Sequence, residues 1–97
     1  MSAVLDPAER VLQVDAADGP WRAPLTARHV ELLRLVAAAG DGGVTAAELS
    51  TAVYGDADHA VTVRAEMSRL RRTIGALVES HPYRISREVS LSVADDR

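Results

Sequence analysis

The sequence predicts a small α+β domain: one or two short strands, three short helices, then a β-hairpin. Three observations carry this expectation. Residues 61–74 divide into an apolar and a basic side when wound as a helix. Two segments ahead of them, opening at Thr26 and Thr45, begin with residues that cap helices. Behind them, Leu77-Val78 and Tyr83-Arg84-Ile85 are β-like and separated by Glu79-Ser80-His81-Pro82, which reads as a hairpin turn.

Taken in order, residues 1–9 read as a disordered start. Arg10 to Val14 is a short strand, and Asp15-Ala16-Ala17-Asp18-Gly19-Pro20 is a turn-rich loop. Trp21 to Leu25 suits a second strand, confined to an edge by Pro24. Thr26 caps a helix running to about Ala39, with Val30, Leu33 and Ala37 beside Leu32 and Val36 on its apolar side. Gly40-Asp41-Gly42-Gly43 ends it, and Val44 is placed for one β contact. Thr45-Ala46-Ala47-Glu48 is a capping box, in which Thr accepts from the third helical amide and Glu reaches back. The second helix covers about 46–53, and Tyr54 to Asp58 turn out of it. Val89, Leu91 and Val93 alternate with Ser90 and Ser92 as a last strand. Asp95-Asp96-Arg97 reads as a solvated tail.

The third helix carries the functional signal. Val63, Met67, Leu70 and Ile74 share one stripe, directed about 10° from Val63 at 100° per residue. Ala65, Ser68, Arg69 and Arg72 fall opposite, with Arg64 and Arg71 on one flank. One side suits a core, and the other suits a helix laid in a DNA major groove. Charge sorts the same way. The chain has a net charge of −3, yet residues 61–87 carry six Arg and two Glu, while residues 1–60 carry four Arg and nine acids. Local charge is what meets a phosphate backbone.

Composition narrows the alternatives. Ninety-seven residues make one domain, long enough to bury roughly two-thirds of the unfolded surface. No apolar run approaches ~18 residues, so no membrane partner is expected. No basic segment followed by an apolar core opens the chain, so a cytoplasmic location is expected. The absence of cysteine excludes disulfides and thiolate metal sites. His29, His59 and His81 lie in separate elements without ligand spacing, so neither metal nor cofactor is expected. No serine, histidine and acid are arranged as nucleophile and base, so the chain reads as a non-enzyme.

Three helices followed by a hairpin is the winged-helix arrangement, and specific residues strengthen it. Leu25-Thr26-Ala27-Arg28-His29-Val30-Glu31-Leu32-Leu33 is similar to the Leu-Thr-x-x-Glu-x-Glu-Leu-Leu start of the first helix in OmpR/PhoB-type effector domains. Leu49 and Val53-Tyr54-Gly55 match a second helix ending in Val-Trp-Gly. Val61-Thr62-Val63 followed by Arg69-Leu70-Arg71-Arg72 matches that family's recognition helix. His81-Pro82-Tyr83-Arg84-Ile85 matches in part a wing ending Gly-x-Gly-Tyr-Arg-Leu. The resemblance covers about residues 25–86 and extends to the winged-helix tails of GAF-type sensor regulators from GC-rich bacteria. It departs at His29, which stands where a Glu would close the first capping box, and at His81-Pro82, which replace wing glycines.

The resemblance implies a winged helix-turn-helix DNA-binding domain over 10–94, with the third helix in the major groove and the wing on the backbone or minor groove. Arg64, Ser68, Arg69 and Arg72 are the outward candidates for base edges or flanking phosphates. Arg71, nearer the core boundary, is expected to reach a phosphate or an acid. Thr62 is placed to donate to a phosphate, and Arg84 and Arg87 lie on the wing. Glu66 either repels phosphate or holds Arg69 or Arg64. Implied partners are double-stranded DNA, a second copy or a fused or associated sensor domain, and RNA polymerase. The alternative is a winged helix that docks a sensor domain or a polymerase subunit as a protein-interaction module.

Overall fold

The computed structural model describes residues 1–94 and shows an α+β domain with three helices and a mixed sheet. Strands β1 (Ser2–Asp6), β2 (Val11–Ala16) and β3 (Gly19–Pro24) form an antiparallel meander. Helices α1 (Ala27–Ala38), α2 (Ala46–Tyr54) and α3 (Ala60–Ile74) follow. Strands β4 (Val78–Glu79) and β5 (Arg84–Ile85) make a short hairpin, and β6 (Ser90–Val93) returns to the first sheet. That sheet has the order β3-β2-β1-β6, with β6 parallel to β1.

Residues 1–9 are therefore not a disordered start. Ser2–Asp6 is an inner strand, pairing with β2 on one side and β6 on the other. Ala3 and Leu5 point into the core, and Leu5 has no exposed surface. The turn into β2 is held by Asp6, whose Oδ1 accepts from the amides of Ala8 and Glu9, both at 3.1 Å. The N-terminal sheet is likewise larger than the one or two strands expected, because β1 and β6 complete it at four. The tail at 95–97 lies outside the described residues.

Alternation places Ala3, Leu5, Leu12, Val14 and Ala23 on one face of the sheet, all buried. The helices cover that face. α1 contributes Val30, Leu32, Leu33 and Val36, α2 contributes Ala46 and Leu49, and α3 contributes Val63, Met67, Leu70 and Ile74. The caps form as the sequence indicates. Thr26 accepts from the His29 amide, and Thr45 and Glu48 satisfy one another's backbone in a complete capping box. Val44, between α1 and α2, exchanges both backbone bonds with Tyr83 at 2.8 and 2.9 Å. This bridge fastens the hairpin beside the entrance to α2.

Leu5 gives the inner position of β1 a direct test. Leu5→Ala should cost about 2–5 kcal/mol, the usual range for emptying a buried leucine site. The measurement is the urea midpoint. A loss of a few tenths would mean that β1 is not an inner strand.

Candidate nucleic-acid interface

The roll of α3 decides which side chains reach solvent. Its four stripe residues are all buried, the most exposed being Ile74 at 3%. Thr62, Arg64, Ala65, Ser68, Arg69 and Arg72 are consequently exposed. The apolar stripe and the outward set lie where the helical spacing places them.

Three polar ties hold α3 in that setting, one to each neighbour. Toward α2, Ser50 is fully buried and works in both directions. Its hydroxyl donates to the Asp56 carbonyl at 2.6 Å and accepts from the His59 amide at 3.0 Å. That pair of bonds sets the turn between α2 and α3. The turn is further shaped by Asp56, whose Oδ1 accepts from the Asp58 amide, and by Tyr54 stacked on the His59 ring at 4.5 Å. The Arg28 guanidinium covers the Tyr54 ring at 4.8 Å, so α1 braces this corner as well.

Toward α1, Glu66 joins two helices through one oxygen. Its Oε1 lies 3.3 Å from His29 Nε2 and accepts from Arg69 at 2.6 Å. His29 does not close the capping box of its own helix but reaches α3 instead. Glu66 therefore engages the Arg69 guanidinium at Nη1 rather than standing alone against phosphate. Partial burial pushes the Glu66 carboxyl up, but hydrogen bonds and charge from Arg69 and His29 outweigh this and hold it below its ordinary value.

Toward the hairpin, Arg71 Nε donates to the Val78 carbonyl at 3.0 Å. One donor of the Arg71 guanidinium is thus taken by the fold, while the residue itself stays exposed. Its place on the core-side flank brings it against β4, where it satisfies a strand carbonyl. Arg84 is also turned inward: Nε donates to Glu79 at 2.7 Å and a terminal nitrogen reaches the Asp41 carbonyl at 3.4 Å. It braces the hairpin base against the turn after α1.

Arg64, Arg72 and Arg87 have no ion-pair partner among the described residues. Arg64 lines a groove of about 410 Å³ between α3, the start of α2 and the hairpin turn, with His81, Pro82 and Tyr83 on its other wall. Gly43 closes that groove at a positive φ of 73°, and a Cβ there would meet Pro82 at 2.7 Å. Ser68 and Arg72 border a shallow depression with Arg71, Gly75 and Ala76. Arg87 stands on the turn between β5 and β6, away from the α3 groove. Arg64, Arg69 and Arg72 thus stand exposed together on α3, with the hairpin turn alongside Arg64.

Sequence reasoning assigned no site role to Ser50 or Gly43. Ser50 was legible in principle, since Ala46, Leu49, Ser50 and Val53 follow the spacing of an inward helix face. A hydroxyl at such a position needs internal partners. Gly43 carried no signal beyond turn composition.

No protein-family model matches the chain, and no solved structure matches it. The chain is similar to a Rhodococcus erythropolis protein described as an uncharacterized 47.3 kDa protein in the thcA 5′ region. They are 40% identical over 80 residues, which covers 81% of this chain and 18% of the relative's length. No described helix is long and apolar enough to cross a membrane.

Glu66 links this geometry to pH. A carboxyl whose folded-state pKa is depressed adds stability above its unfolded value and loses it as pH falls through the folded value. That contribution is present at neutral pH and disappears in acid, below the ordinary value of 4.5. Glu66→Gln should be less stable at neutral pH and should lose less stability on acidification than the parent. Urea midpoints through the carboxylate range measure this, and parallel acid slopes would argue against the pairing.

Proposed function

We propose that this chain is a winged helix-turn-helix DNA-binding module of the OmpR/PhoB type, acting in bacterial transcription regulation rather than as an enzyme. One observation carries the reading. α3 buries its apolar stripe completely while Arg64, Ser68, Arg69 and Arg72 stand exposed, beside a hairpin pinned to the Val44 bridge. In this reading β4 and β5 are the wing, and α1 and α2 brace α3 as it enters the major groove.

The side chains then divide by role. Arg64 and Arg72, free of internal partners among the described residues, are placed for phosphates or guanine edges. Arg69 is held by Glu66 at Nη1, which leaves Nε and Nη2 to fork onto guanine O6 and N7, and a guanidinium with restricted freedom loses less entropy on doing so. Thr62 and the first amides of α3 suit a phosphate. Arg87 suits the backbone beside the wing, while Arg84 and Arg71 support the hairpin. A single module buries roughly 600–1,000 Å² of surface on DNA, so a homodimer or tandem half-sites are expected. In the relative, the matched region is joined to a much longer remainder. That fits a module working with an attached or associated sensor domain, in the cytoplasm.

The exposed outer face of the sheet favours a second reading. Val4 is partly exposed there, and Trp21 is partly exposed on the edge strand β3. Through that surface the same module would dock a sensor domain or an RNA polymerase subunit.

Salt separates the two. With Arg64, Arg72 and Arg87 on phosphates, log affinity for duplex DNA should fall with log salt at a slope of about −3. Arg72→Ala should weaken binding and bring the slope about one unit nearer zero, with its urea midpoint unchanged because the side chain is exposed. Absence of duplex binding at low salt would sink the DNA reading.

A further inference from the structure

Val61 is the most exposed large apolar side chain among the described residues, at 75%. A single exposed valine is ordinary on a protein surface, so its position has to carry the argument. It is the second residue of α3, and at 100° per residue it lies roughly 160° around the helix from buried Val63. Ala65 follows one turn later on the same side, also exposed, with Ser68 and Arg72 beyond it. Thr62 and Arg64 flank it. The first outward turn of α3 therefore offers a branched hydrocarbon surface framed by a hydroxyl and a guanidinium.

That chemistry selects among base edges. Three of the four bases present only donors and acceptors in the major groove, while thymine adds a methyl group at C5. The opening turns of a recognition helix are the part that reaches base edges. A β-branched side chain on a helix is already confined to one main χ1 rotamer, so contact orders it at little further entropic cost. Building on the DNA-binding reading above, the geometry points to Val61 as a specificity-determining residue that packs on the 5-methyl group of a thymine opposite the first turn of α3. Ala65 extends the same apolar surface, and Arg64 holds the adjoining backbone.

Exchanging thymine for uracil tests this, because it removes the methyl and leaves base pairing intact. Duplexes selected by the full chain from a random library would be resynthesised with deoxyuridine at one thymine at a time and titrated by fluorescence anisotropy. At one position or more, loss of the methyl should weaken binding about fourfold, the value of one buried methyl group. Val61→Ala should bind the parent duplex more weakly and no longer distinguish thymine from uracil at that position. Val61→Thr, which keeps one branch methyl, should retain part of the preference. Circular dichroism should show all three proteins equally folded, since residue 61 is outside the core. Normal salt-dependent binding without any thymine-to-uracil effect would overturn the assignment and leave the DNA reading standing. So would a preference that Val61→Ala retains in full. Absence of binding to any duplex at low salt would overturn both.

Discussion

Four side chains on one helix set the terms for the rest of the molecule. Val63, Met67, Leu70 and Ile74 are driven out of water together, and that burial leaves α3 one rotational setting. A roll of a single residue would expose a core residue and bury an arginine without a partner, which is far costlier than either native contact. The outward set is therefore a by-product of the inward one. Ser50, Glu66 and Arg71 then refine the setting, each by a bond to a different neighbouring element. Their individual contributions are small beside the stripe, but they fix direction, which the hydrophobic effect does not.

Much of this was visible in local sequence because its causes are local. The stripe, the Thr45–Glu48 capping box, the glycine stop after α1 and the hairpin at residues 77–85 each depend on spacings of a few residues. The misreadings share the opposite property. Met1 to Asp6 has an ordinary alternation, too short to stand out beside Pro7 and Glu9, and its strand exists because distant partners supply hydrogen bonds. Ser2 pairs with Ser90, and Leu5 with both Leu12 and Val93. β2 is a local neighbour across the Asp6 turn, but β6 lies far along the chain and nothing near β1 announces it.

The candidate surface was legible to a similar depth. Helical phase identified which arginines face outward, but it gave no indication of which of them the fold itself employs. Arg71 lies on the flank that meets β4, and Arg84 sits across from Glu79 in the hairpin, so both acquire internal partners. Arg69 keeps its exposure yet is tethered by Glu66. Such divisions of labour depend on distances between elements, and a single sequence does not carry them. Its charge pattern marks a region, and packing assigns duties within it.

The parallel pairing of β1 with β6 also orders events during synthesis. β1 is made well before β6, with three helices between them. Until β6 arrives, β1 has β2 on one side and open N–H and C=O groups on the other. A nascent or partly denatured chain thus carries an unfilled strand slot, which a strand from another molecule can enter. β6 acts as a latch, closing that side of the sheet against neighbours once it has docked on β1.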